Sequence, residues 1–139
     1  MTVSKKTAAT LGALTAAIAL AAPTAGAAVT RVDVAPGLSF GSSGGGYGTG
    51  CSYTVTATAR PGATVTYLDD VEGGRTIDTF KPVTQVADAS GKASTTWTPV
   101  KKGKHDIWAA EYVQGESYIM TTVTVGTGLN LGPACVVLP

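Results

Sequence analysis

The chain has 139 residues, of which 44% are hydrophobic and 14% are charged, and its formal net charge is +1. Because this near-neutral composition supplies no basic surface, we expect neither nucleic acid nor an anionic membrane as a partner. The length is that of one domain.

The first predicted element is a secretory signal peptide over residues 1–27. Lys5 and Lys6 give it a positive start, residues 8–22 form an uncharged Ala-rich run, and Ala25-Gly26-Ala27 is typical of a cleavage site. The apolar run is shorter than the roughly 20 residues of a membrane-spanning helix, so we expect cleavage and no stable membrane insertion. The remaining residues 28–139 are predicted to be a single secreted domain, extracellular or loosely associated with the cell wall, with eight basic and nine acidic residues.

Alternation of apolar and polar residues predicts strands throughout this domain, and no apolar helical period occurs in it. The clearest segment is CSYTVTATA at residues 51–59, and residues 41–50 are a glycine-rich loop. Strands are predicted over residues 29–34, 51–59, 63–68, 75–80, 83–87, 92–98, 105–110 and 117–125. Seven or eight short strands in about a hundred residues predict an all-β fold, an antiparallel two-sheet sandwich.

The segment at residues 105–110 leaves one orientation open. With Ile107 and Ala109 facing the core, Trp108 points to solvent, and Tyr112 breaks the parity, which predicts a bulge there. If the bulge falls earlier, Trp108 belongs to the core, and this is the placement that we favour.

Cys51 and Cys135 are the two cysteines, and both lie in the exported part. An oxidising destination and the absence of a third cysteine predict that they pair. Because Cys135 follows the last predicted strand, the bridge would fix the C-terminal tail to the start of the strand at residues 51–59.

Several short motifs share one resemblance. They are the Gly- and Thr-rich strand at residues 51–59, a D-x-x-G-K-A turn from Asp88, a G-K-H-x-I strand start from Gly103, and TTVTV from Thr121. Over residues 29–126 the chain resembles the bacterial immunoglobulin-like domains of secreted and surface proteins. The resemblance implies an immunoglobulin-like sandwich. Antibody-type domains bridge two central strands around a Trp, whereas here Cys135 lies near the C-terminus and Tyr67 replaces that Trp.

The residues that could support catalysis are few. His105 is the single histidine, and its neighbour Asp106 should point to the opposite face of the strand, so it cannot orient the imidazole. Asp69, Asp70 and Glu72 could hold Ca²⁺ through their oxygens, but a charged hairpin tip explains them better. We therefore expect no enzyme, no cofactor and no metal.

Two sets of residues are candidates for surface contact. Thr54, Thr56 and Thr58 share the outer face of one strand and could bind carbohydrate or ordered water, although threonine rows are common in sandwiches. Trp108 and Tyr118 would form an exposed aromatic patch if Trp108 points outward.

The function expected from these residues is non-catalytic binding or adhesion by a monomer, with an extracellular protein or glycan as partner. One alternative is a small-molecule carrier, because residues 88–96 are similar to the apoproteins of enediyne chromoproteins. That family carries two disulfides, whereas this chain can form one, and a carrier requires a deep apolar cleft. A secreted protease inhibitor is a further alternative, but the glycine-rich loop offers no rigid inhibitory segment.

Overall fold

The computed structural model describes residues 28–37, 39–40, 46–112 and 117–138, and the predicted signal peptide lies outside these ranges. Within them all regular structure is β-strand, which confirms the predicted class. A search of the same ranges finds no helix with the length and apolar character needed to cross a membrane.

Twelve strands follow one another in the described residues, and seven of them have four residues or more. They are β1 (Val29–Val34), β2 (Ser39–Phe40), β3 (Tyr47–Gly48), β4 (Tyr53–Ala59), β5 (Thr64–Val71), β6 (Gly74–Thr76), β7 (Phe80–Lys81), β8 (Thr84–Val86), β9 (Lys92–Trp97), β10 (Gly103–Glu111), β11 (Ser117–Asn130) and β12 (Cys135–Leu138).

The strands form two sheets that pack face to face. The smaller sheet has the order β1-β4-β9-β7. The larger sheet has the order β2-β12-β11-β10-β5-β6, with β3 paired to β11 and β8 paired to β5. Most pairs are antiparallel, while β3 and β2 join their neighbours in parallel. The predicted two-sheet sandwich is therefore confirmed.

The period-two sequence pattern decides which faces meet. Every second side chain of β4, β5 and β9 is buried, and the residues between them are exposed or half-buried. Trp97, Tyr67, Phe80 and Ile107 are the largest of the fully buried side chains. Burying one such apolar side chain contributes about 1.5–3 kcal/mol. The Tyr67 hydroxyl donates to the Ala93 carbonyl oxygen at 2.7 Å, so its buried polar end is satisfied.

Three predictions about individual strands were wrong. Residues 75–80 do not form one strand, because β6 belongs to the larger sheet and β7 to the smaller sheet. The chain crosses between the two sheets at the residues that separate β6 from β7.

No bulge occurs at Tyr112, since the β10–β11 register is continuous from Gly103 to Glu111. Tyr112 is 56% exposed and continues the outward parity of β10. Finally, Cys135 begins a strand instead of following the last one.

Part of the predicted glycine-rich loop also belongs to the sheet. Residues 41–45 lie outside the described residues, but Tyr47 and Gly48 form β3 beside β11. The glycine at position 128 of β11 allows β3 to lie this close, because a Cβ on Gly128 would lie 2.2 Å from the Thr49 carbonyl oxygen. The loop prediction was therefore wrong at its C-terminal end.

The predicted disulfide between Cys51 and Cys135 is confirmed, with 6.0 Å between the two Cα atoms. Cys51 lies just before β4 of the smaller sheet, and Cys135 is the first residue of β12 in the larger sheet. The bridge therefore joins the two sheets covalently.

Candidate functional site

A group of exposed apolar and aromatic side chains lies on the outer face of the larger sheet. We name it the aromatic patch, and its members are Leu68, Trp108, Tyr112, Tyr118 and Met120. Trp108 stands between Leu68 on β5 and Met120 on β11 in the strand ladders. Because Ile107 and Ala109 are fully buried on the inner face, Trp108 points outward, and its favoured placement in the core was wrong.

A shallow groove runs through the aromatic patch at Ala110. This small residue lies between Thr66 and Tyr118 in the ladders, so its neighbours rise above it on both sides. The groove has a volume of about 320 Å³, and Trp108, Tyr112 and Tyr118 form its aromatic walls. Arg75 and Ser117 give its edge a polar character.

The side chains around the groove hold one another in place. The rings of Trp108 and Tyr118 are 5.6 Å apart at an angle of 54°. The guanidinium carbon of Arg75 lies 5.6 Å from the Trp108 ring, which is within the range of a cation–π contact. Arg75 also donates to Asp70 at 3.2 Å. The contacts with Tyr118 and Arg75 limit the rotation of the indole.

The indole nitrogen of Trp108 is unusual in having no hydrogen-bond partner although it is buried. It is the one side-chain nitrogen or oxygen of this kind among the described residues. A buried donor without a partner costs about 1–3 kcal/mol, so native proteins seldom retain one without a reason. A ligand that displaced the neighbouring side chains and supplied an acceptor here would recover that free energy.

The predicted threonine row lies on the opposite side of the molecule, on the outer face of the smaller sheet. Thr54 stands opposite Thr96, and the hydroxyls of Thr56 and Ser94 are 2.9 Å apart. Lys92 Nζ donates to the Thr58 hydroxyl at 2.7 Å. Two of the three threonine hydroxyls are thus bonded to the neighbouring strand. The row and the aromatic patch face away from each other and cannot form one site.

His105 and Asp69 form a buried polar pair between the sheets, and the sequence did not reveal it. His105 is 1% exposed, and Asp69 is fully buried. Their Nδ1 and Oδ1 atoms are 2.7 Å apart. The other carboxylate oxygen of Asp69 accepts from Trp97 Nε1 at 2.9 Å and from the Thr79 hydroxyl at 3.3 Å.

This buried pair does not have the geometry of a catalytic triad. A triad needs the nucleophile on one imidazole nitrogen and the orienting acid on the other. Here Thr79 contacts Asp69 instead of His105, and His105 Nε2 is 2.9 Å from the Lys101 carbonyl oxygen. Asp106 does not orient His105, since it accepts from Thr122 and is paired with Lys104 on the outer side.

The three acids near the β5–β6 turn point in different directions. Asp69 is buried in the core, Asp70 is paired with Arg75 on the outer face, and Glu72 is exposed at the turn. No group of three His, Cys, Asp or Glu side chains in the described part of the chain could hold a metal ion. The calcium site considered from the sequence is therefore not formed by these residues.

Two features of the structure had only weak signals in the sequence: the burial of Asp69, and the position of Arg75 over Trp108. Asp69 occupies an inward position in the alternation Val65, Tyr67, Asp69, Val71, and a polar residue at such a position indicates a buried partner. Arg75 lies on β6, a strand of three residues with no clear alternation. Comparison of the chain with protein-family models and with curated proteins gave no match.

Proposed function

We propose that this protein is an exported immunoglobulin-like module that binds an extracellular glycan, without catalysis, through the aromatic patch. The observation that carries the proposal is the exposure of large side chains around the groove. Tyr118 is 65% exposed, Tyr112 is 56% exposed and Met120 is 44% exposed. Contiguous exposed apolar surface with a polar rim is typical of interaction sites.

The chemistry of the groove favours a sugar over a flat protein surface. Sugar rings have apolar faces that pack on aromatic rings, and their hydroxyls need donors and acceptors around the edge. Trp108 and Tyr118 supply the rings, while Arg75 supplies a guanidinium at the edge. The open groove also suits one unit of an extended chain.

Two further observations agree with export. The disulfide requires an oxidising compartment, and the N-terminal sequence has the pattern of a signal peptide. Both are compatible with a protein that meets its ligand outside the cytoplasm.

A binding assay with a matched control tests the proposal. The mature chain is incubated with insoluble cell-wall polysaccharide, and the bound fraction is measured after sedimentation. We expect Tyr118→Ala to reduce binding at least about tenfold, because an aromatic anchor at the centre of an interface contributes about 2 kcal/mol or more. Thr54→Ala on the opposite face should bind as the unchanged chain does. Equal binding by both variants would contradict the proposal.

The second candidate function is the small-molecule carrier, for which the groove has enough volume, about 320 Å³, but not the depth of the apolar cleft that a carrier requires. Ligand pockets begin at about 300 Å³, so the groove could hold a compact aromatic molecule. Extraction of a culture-derived protein with organic solvent, followed by mass spectrometry, distinguishes the two functions. A stoichiometric aromatic compound that is lost in Trp108→Ala supports the carrier.

A further inference from the structure

Both ring nitrogens of His105 face hydrogen-bond acceptors. Nδ1 is 2.7 Å from Asp69 Oδ1, and Nε2 is 2.9 Å from the Lys101 carbonyl oxygen. A neutral imidazole has one N–H and one lone pair, so it can satisfy only one of these acceptors. The lone pair would then face the other oxygen at hydrogen-bond distance, which is repulsive.

The surroundings of Asp69 decide which group carries the second proton. Its carboxylate receives hydrogen bonds from His105, Trp97 and Thr79. Three donors directed at one carboxylate give it the role of acceptor in each of these bonds. The proton between the pair therefore belongs to His105, which then donates from both nitrogens.

We propose that His105 is a buried imidazolium that acts as a pH-sensitive latch, holding the β9–β10 turn (residues 98–102) closed against Asp69. The Nε2–H of His105 holds the turn through the Lys101 carbonyl, and its Nδ1–H holds β5 through Asp69. Trp97, at the end of β9, donates to the same carboxylate. The two N–H groups of His105 thus join the turn to Asp69 of the larger sheet, and Asp69 is in turn bonded to Trp97 of the smaller sheet.

The latch borders a cavity of about 240 Å³ between the β5–β6 turn and the β9–β10 turn. Its lining includes Asp69, Thr79, Val100, Lys101 and His105. Pro99 is fully buried and the Thr98 amide donates to the Thr79 carbonyl oxygen, so the start of the turn is anchored by other contacts. Val100 is 71% exposed, so the second half of the turn contributes little apolar packing. The contact from His105 to Lys101 holds this second half in place, and its loss would widen the cavity.

The charged groups around His105 come from several elements. Asp69 faces it from β5, and Lys101 faces it from the turn, while Lys104 and Asp106 on β10 pair with each other on the outer side. Arg75 lines the same cavity and is paired with Asp70.

These groups have opposing effects on the pKa of His105. Burial lowers the pKa, the hydrogen bond and the charge of Asp69 raise it, and the nearby Lys101 charge lowers it, with a net rise above 6.5. A raised pKa in the folded state means that the stabilisation is complete below pH 6.5 and is lost as the pH rises through the folded-state pKa. The latch is closed below the folded-state pKa, which lies above 6.5, and opens as the pH rises through it.

Opening has a defined chemical path. Loss of one proton leaves a neutral imidazole, and the tautomer with Nδ1–H keeps the stronger, charge-assisted bond to Asp69. The Nε2 lone pair then faces the Lys101 carbonyl oxygen and repels it. The turn is released while β5 and β10 stay paired.

Imidazole NMR on the mature chain tests the charge, because His105 is the single histidine and its signals need no assignment. We expect the ¹⁵N shifts to show an imidazolium whose titration midpoint lies above 6.5, the value of an ordinary histidine. A midpoint at or below 6.5 would overturn the proposal.

Hydrogen exchange in the same sample tests the latch. The Gly50 amide donates to the Pro99 carbonyl oxygen at 2.8 Å and reports on the turn, and the Ala59 amide, bonded to Gly91 at the far end of the sandwich, is the control. Above the His105 midpoint we expect at least about a tenfold loss of protection at Gly50 after correction for intrinsic exchange, with no change at Ala59. An imidazolium whose titration leaves Gly50 protected would also overturn the latch.

Two variants separate the latch from general destabilisation. His105→Gln removes the titrating group, so Gly50 protection should no longer depend on pH. Thr79→Val removes one bond to Asp69 but leaves both partners of His105, so the dependence should remain. A pH dependence that persists in His105→Gln would assign it to another group. If His105→Gln does not fold, the two measurements on the unchanged chain still decide the proposal.

Discussion

Trp97 and Trp108 show how one residue type has two roles in this fold. Trp97 is fully buried, and its Nε1 donates to Asp69, whereas the Nε1 of Trp108 has no partner and its ring lies on the outer face. The same substitution at the two positions therefore removes a hydrogen bond in one case and none in the other. Comparing the same substitution at the two positions therefore isolates the contribution of the hydrogen bond.

We expect Trp97→Phe to lower the free energy of unfolding by about 1–3 kcal/mol, because it removes one of the hydrogen-bond donors to the buried Asp69 carboxylate. Trp108→Phe should not lower it by a comparable amount, because it breaks no hydrogen bond and removes a buried donor that has no partner. Urea denaturation of both variants measures the difference. Similar losses in the two variants would show that lost ring volume, and not the bond to Asp69, sets the stability at Trp97.

At the scale of elements, the packing of β3, β11 and β12 depends on glycines. A Cβ on Gly126 would lie 2.5 Å from the Leu138 carbonyl oxygen, and a Cβ on Gly48 would lie 2.6 Å from the Gly128 Cα atom. Neither contact is with a flexible side chain, so the backbones themselves would have to separate. The glycines in this part of the chain set the distance between neighbouring strands.

We predict that Gly128→Ala destabilises the protein by about 1–3 kcal/mol, the usual effect of overpacking. The loss should be concentrated where β3 meets β11, because the added methyl would overlap the Thr49 carbonyl oxygen. Thermal unfolding measures it, with Thr124→Ala on the exposed face of the same strand as the control. A Gly128→Ala variant as stable as the control would show that β3 moves away without cost.

The long strands were predictable because their alternation follows directly from burial on one face. Ile119, Val123 and Val125 face inward along β11 as the pattern predicted. The short strands were not, since two or three residues, as in β3 and β7, give no period to recognise. Their positions depend on contacts with distant strands, such as that between Gly48 and Gly126.

The candidate site was predictable to a similar degree. Trp108 and Tyr118 were identified as a patch because both occupy outward positions if Ile107 faces inward. Arg75 and Ala110 were not, because the groove depends on the register that aligns β5, β10 and β11. Register is a property of paired strands and cannot be deduced from one strand alone.

At the scale of the whole molecule, the two sheets are joined by contacts at several points. The Tyr67 hydroxyl and the Asp69 carboxylate cross the core by hydrogen bonds to β9, and the disulfide crosses it covalently. Of these three connections, the disulfide has the largest separation along the chain, 84 residues. A crosslink over such a distance restricts the unfolded chain far more than it changes the folded one.

We therefore predict that replacing Cys51 and Cys135 together by alanine lowers the free energy of unfolding by about 4–5 kcal/mol, the chain-entropy value for a loop of this length. The secondary structure should survive, because the backbone hydrogen bonds of the strand ladders do not involve the sulfur atoms, although both cysteine side chains belong to the buried core. Urea unfolding of the double variant measures the loss, and the native chain treated with reductant should show the same shift. Intact mass after alkylation without reductant is the control, and labelling of two thiols in the native protein would contradict the bridge. If the double variant also loses hydrogen-exchange protection first at β12, the disulfide fixes this edge of the larger sheet to the smaller sheet.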